Sequence, residues 1–74
     1  MNIEKKCTIT DIIYQNAENG YTIAVAETDT EQFTAVGTLP TCDKGRMFVL
    51  RGNFVSHPRY GEQFAFTEWE EEMP

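Results

Sequence analysis

Lys6-Cys7-Thr8-Ile9-Thr10-Asp11-Ile12-Ile13-Tyr14-Gln15-Asn16 is the stretch on which the fold turns. It begins as a strand alternation, with Cys7 and Ile9 on one face, and breaks phase at Ile12-Ile13-Tyr14. A phase break inside a long β run predicts a bulge or sharp coil, the device by which a small barrel closes. Either Ile12 or Ile13 must then point outward. Ala17-Glu18-Asn19-Gly20 follows. Asn-Gly is a turn signal, because both residues tolerate positive φ.

Four more runs of Thr, Ile, Val, Tyr and Phe lie beyond this turn, the composition of strands. Residues 21–27 place Tyr21, Ile23 and Val25 on one face and Thr22, Ala24 and Ala26 on the other. Residues 33–38 form the third run. A connector with Pro40 and Gly45 as breakers leads to residues 46–56, where Phe48, Leu50, Gly52 and Phe54 share a face. A glycine in mid-strand predicts a bend or a close backbone approach. His57-Pro58-Arg59-Tyr60-Gly61 is a loop, and residues 62–70 are the fifth run, with Phe64 and Phe66 in phase. The reading is all-β: a small five-stranded antiparallel barrel, OB-fold-like, without a substantial helix. An SH3-like barrel is the competing topology. The expected core is Ile9, Ile13, Ile23, Val25, Val36, Leu39, Phe48, Leu50, Phe54, Phe64 and Phe66.

The 74 residues carry 6 Lys and Arg against 12 Asp and Glu, a net charge of −6. That balance disfavours a free-standing basic nucleic-acid binder. A chain this short has little room for a substrate cleft beside its core. No run approaches the roughly 20 apolar residues of a membrane helix. The first six residues lack the apolar stretch of a signal peptide. A cytoplasmic protein without membrane contact is expected. Cys7 and Cys42 are read as reduced, partly buried thiols, and with His57 as the only histidine no Cys/His zinc site can be assembled. Residues 1–70 are read as the barrel. The acidic residues 71–74 are read as the start of a linker to a missing downstream region, so the chain is expected to be a fragment of a longer protein.

No phosphate loop of the Gly-x-x-x-x-Gly-Lys-Ser/Thr kind is present. Cys42 and His57 lack an orienting third group and carry no expectation of nucleophilic catalysis. Glu68, Glu70 and Glu72 alternate along a strand and read as an exposed acidic edge. OB-folds hold single strands with a basic groove and aromatic platforms. Tyr21, Phe33, Tyr60 and Trp69 are the candidate platforms, and Arg46, Arg51 and Arg59 the candidate phosphate partners. Three such contacts give a salt slope of about −2. Against this, the second and third runs and their loops carry Glu18, Glu27, Asp29 and Glu31 and no Lys or Arg, which repels phosphate. His57 joins Arg46, Arg51, Arg59, Tyr60 and Trp69 as a candidate DNA or partner contact.

Two segments are more specific: Asn16-Ala17-Glu18-Asn19-Gly20-Tyr21-Thr22-Ile23-Ala24 and Gly52-Asn53-Phe54-Val55-Ser56-His57-Pro58-Arg59-Tyr60-Gly61-Glu62-Gln63-Phe64. Together they resemble the N-terminal OB domain of RecD-like ATP-dependent DNA helicases, relatives of the exodeoxyribonuclease V alpha subunit. The resemblance runs from about Lys6 to Glu70. It implies a non-catalytic domain ahead of motor domains that hydrolyse ATP with Mg²⁺ and unwind DNA from 5′ to 3′ in repair and recombination. None of the motor motifs lies in these residues, and no cofactor is expected here. The implied partners are those downstream motor domains and single-stranded DNA. The alternative is a protein-interaction or interdomain docking barrel with no direct nucleic-acid contact.

Overall fold

The structure is a computed structural model that describes residues 2–40 and 42–72. Five strands make up the order β1 (Ile3–Gln15), β2 (Tyr21–Glu27), β3 (Gln32–Thr38), β4 (Met47–His57) and β5 (Gly61–Glu72). No helix occurs among the described residues. The strands close into a barrel in the order β1-β2-β3-β5-β4, with β4 returning to β1. This is the five-stranded barrel of the OB-fold. β5 extends two residues past the expected limit at 70: Glu71 and Glu72 pair with Phe48 and Met47. Met73 and Pro74, the rest of the expected linker, lie outside the described residues.

One seam departs from the expected antiparallel barrel. β3 and β5 pair in parallel, Ala35 with Phe64 and Val36 with Ala65. Parity requires it. Strand directions cannot alternate all the way round a ring of five, so one neighbouring pair must run the same way. The other four seams are antiparallel.

The phase break in β1 is two irregularities in its ladder with β2. Ile9 faces Ala26 but Asp11 faces Val25, and Ile12 faces Ala24 but Tyr14 faces Ile23. Thr10 and Ile13 are the extra residues. Ile12 thus packs on the core, while Ile13 stands 59% exposed, which corrects its placement in the core.

β2 is turned over relative to expectation. Thr22, Ala24 and Ala26 point inward and are buried, and Ile23 and Val25 lie half-buried on the outer face. The reason is volume. Phe48, Leu50, Phe64, Phe66 and Ile9 already fill the interior, so β2 and β3 supply Ala24, Ala26 and Ala35 opposite them, small against large. Phe33 and Phe54 pack from the side, their rings edge-on to Phe64 at 5.5 and 5.0 Å. Phe54 is therefore half-buried rather than central.

Gly52 makes the close approach its position suggested. A Cβ there would lie 2.0 Å from the Ala65 carbonyl oxygen and 2.6 Å from the Phe66 Cα. The β4–β5 ladder slips at this point, between Arg51 and Gly52. The two long strands can fold sharply onto each other only because Gly52 has no side chain.

Both thiols are unbonded and fully buried, Cys7 on β1 and Cys42 in the β3–β4 connector. Burial, and secondarily the neighbouring Cys42, pushes the Cys7 thiol from the ordinary value near 9 up to about 11. Cys42 is raised by burial and by Asp43, against an opposing pull from Arg46.

Two outcomes are expected. Gly52→Ala should cost about 3 kcal/mol, enough to unfold much of a barrel this small; urea unfolding followed by Trp69 fluorescence measures it. The folded state holds the Cys7 proton more tightly than the unfolded chain does. Stability is therefore full below pH 9 and declines as pH rises toward about 11. Cys7→Ala should flatten part of that decline in unfolding curves taken across this range.

Candidate nucleic-acid interface

The first of the two specific segments is a turn built from side-chain acceptors. The Asn16 Oδ1 accepts the Glu18 N–H at 2.8 Å, and the Asn19 Oδ1 accepts the Tyr21 N–H at 2.9 Å. Backbone bonds close the loop between Asn16 and Tyr21. Within this turn only Gly20 takes positive φ, at +77°. Asn19 serves the turn through its side chain, not through a left-handed backbone. The buried Thr22 hydroxyl donates to the Gly20 carbonyl at 3.0 Å, and the Leu39 N–H reaches the same carbonyl at 2.9 Å. The segment ties the β1–β2 loop to the end of β3.

The second segment closes the β4–β5 hairpin through His57. Its Nδ1 accepts the Arg59 N–H at 3.1 Å and the Tyr60 N–H at 3.2 Å. Nδ1 therefore carries no proton, and Nε2 is the ring's donor. The imidazole also lies against the Tyr60 ring, centroids 4.8 Å apart and planes 31° from parallel. His57 is the brace of the loop, and Tyr60 stands 69% exposed at its rim.

Between the two loops the outer face of the barrel opens into a groove of about 490 Å³, lined by Ile13, Tyr14, Ile23, Thr34, Tyr60 and Gln63. None of the six is charged. Thr34 and Gln63 are the residues immediately before Ala35 and Phe64, where the parallel seam starts. The groove thus lies at the mouth of that seam. Gln63 as a whole residue is nine-tenths buried, and its side-chain amide makes no hydrogen bond among the described residues. Among the described residues no fully buried side-chain polar atom lacks a partner, so the amide is the part of Gln63 that meets the groove.

The six expected contact residues do not converge. His57, Arg59 and Tyr60 share the β4–β5 loop. Arg46 precedes β4 and Arg59 follows it, so they flank a strand on the order of 30 Å long. Arg46 holds both Glu71 carboxylate oxygens at 2.9 and 3.1 Å and reaches Asp43 at 3.4 Å. Arg51 pairs with Glu4 at 3.0 Å. Arg59 makes no ion pair among the described residues. Trp69 packs its ring against Phe48 at 6.0 Å, and Phe33 belongs to the core cluster.

The expected acidic barrier is also displaced. Glu27, Asp29 and Glu31 line a different groove at the β2–β3 turn, where Lys5 pairs with Glu31. Only Glu18 of the four acids sits in a loop beside the uncharged groove. Ile13, Tyr14, Ile23, Thr34 and Gln63 were not legible as a site. The signals that pointed toward it were the outward isoleucine at the phase break and the glutamine inside the second segment. No group of three His, Cys, Asp or Glu suited to a metal occurs among the described residues.

A closed five-stranded barrel with a groove framed by its β1–β2 and β4–β5 loops defines an OB-fold domain. Residues 2–74 match the OB-fold domain of the ATP-dependent DNA helicase YrrC, and the chain belongs to that family. No solved structure matches it.

His57→Ala should remove the acceptor shared by two loop amides. A loss of about 1 kcal/mol is expected in urea unfolding, together with increased mobility of Tyr60 in NMR relaxation.

Proposed function

We propose that this domain is the non-catalytic N-terminal module of a RecD-like helicase that unwinds DNA from 5′ to 3′ in repair and recombination in the cytoplasm. ATP and Mg²⁺ belong to the motor domains of the parent protein. The module's own task is to hold unwound single-stranded DNA by its bases more than by its phosphates. The observation that carries this reading is the uncharged groove with Tyr14 and Tyr60 in its lining. Stacking on an aromatic ring contributes roughly 1–3 kcal/mol per base and tolerates any sequence. Phosphate contact is left mainly to Arg59, because Arg46 and Arg51 are engaged by carboxylates. A second reading, an interdomain docking barrel without nucleic-acid contact, is favoured by those two ion pairs and by the net charge of −6.

Fluorescence anisotropy of a labelled oligonucleotide separates the two. Weak binding at low salt is expected, falling only about fivefold for a tenfold rise in salt, the slope of one phosphate contact at roughly −0.7. Three contacts would give about a hundredfold. Tyr60→Ala should weaken binding more than Arg59→Ala does. No binding at low salt would sink the single-strand reading in favour of docking.

A further inference from the structure

We infer that the groove is a pocket for one unpaired nucleobase, with the Gln63 amide meeting the edge of the base. This rests on the single-strand reading above and goes further, since a stacking surface alone needs no unpartnered polar group in its lining. Three observations carry it.

The groove's volume of about 490 Å³ falls in the range of small-molecule sites, and it lies open to solvent, so one base can enter it. Its two aromatic rings are held from behind. The Tyr14 hydroxyl accepts from the Asn16 side-chain amide at 3.4 Å, and the Tyr60 ring rests on His57. Each specific segment thus holds one ring of the pocket, and rings fixed before binding lose less freedom when a ligand arrives.

The third observation is Gln63. The Gln63 amide has no protein partner among the described residues and lies open to solvent on the groove side, so both of its polar groups are free to pair with an entering ligand. It offers an acceptor beside a donor. A ligand that satisfies both must present a donor beside an acceptor on a flat, otherwise apolar body. A nucleobase edge has that pattern, and adenine pairs with such an amide through its N6 donor and N7 acceptor. The lining offers no cation to a phosphate or carboxylate. Thr34, half-buried on the other side of the seam, adds a hydroxyl to the same polar corner.

The test is anisotropy with dT octamers that differ only at one central position: dA, dC, dG, dT or an abasic site. Central dA is expected to bind at least fivefold more tightly than the abasic site, and Gln63→Met should reduce that advantage to less than twofold while Tyr60-dependent binding persists. Equal binding of all five octamers would overturn the pocket and leave the single-strand reading standing. No binding by any of them would overturn both. Where Gln63→Met fails to fold, NMR on the unaltered protein decides. The Gln63 side-chain NH₂ resonances should move on titration with the dA octamer and stay in place with the abasic one. Shifts confined to Arg46, Arg51 and Arg59 would overturn the pocket.

Discussion

A ring of five strands cannot alternate direction throughout, and the parallel β3–β5 seam that results shapes the rest of the molecule. Its two residue pairs close the barrel. Four antiparallel ladders carry the remaining pairing, and the β4–β5 ladder is the longest. To reach both β1 and β3, the β4–β5 hairpin must coil tightly, which brings the Ala65 carbonyl against the bare Cα of Gly52. β1 must likewise bend to meet β2 on one side and β4 on the other, and it does so at its two irregularities. The brevity of the seam leaves Thr34 and Gln63 just outside the paired residues, and there the groove opens.

Electrostatics on this surface decides by subtraction. Arg46, Arg51, Lys5, Lys6 and Lys44 all find carboxylates within 4 Å. Exposed pairs of this kind contribute about 0–1 kcal/mol each. Their larger effect is on what the surface offers a ligand. A cation already held by a carboxylate is a poor phosphate partner, and the acids of the β2–β3 turn sit away from the groove. The region between the two loops is left uncharged, with aromatic and aliphatic side chains and one unpartnered amide. A barrel with net charge −6 can thus present a surface suited to bases while offering little to the backbone that joins them.

Both specific segments serve as braces rather than as contact surfaces in their own right. The side-chain oxygens of Asn16, Asn19 and Thr22 bond backbone amides and carbonyls, and His57 spends its Nδ1 on two loop amides. The residues left facing outward, Tyr14 and Tyr60, are the ones they hold. Among the candidates named from the sequence, Phe33 went to the core, Trp69 set its ring against Phe48, and Arg46 and Arg51 went to ion pairs; Tyr21 stays exposed at the start of β2, and Tyr60 and Arg59 stand at the loop beside the groove.

Local chemistry was readable residue by residue. The turn at Gly20, the bend at Gly52, the break in β1 and the strand count each follow from backbone freedom or periodicity confined to a few neighbouring positions, and each could be read without knowing what lay across the barrel. The orientation of β2 could not. Ile23 and Val25 are the more hydrophobic set, and alternation alone sends them inward. Ala24 and Ala26 face the core because Phe48, Phe64 and Phe66 arrive there from strands distant in sequence and leave room only for small side chains. The groove was hidden for the same reason. Its lining comes from β1, β2, β3, β5 and a loop, and only closure of the ring brings Tyr14, Tyr60 and Gln63 to one groove. Short-range geometry was the sequence's own to determine, whereas which face of a strand is inside, and which residues meet outside, depended on volumes and neighbours that exist only once five strands have closed.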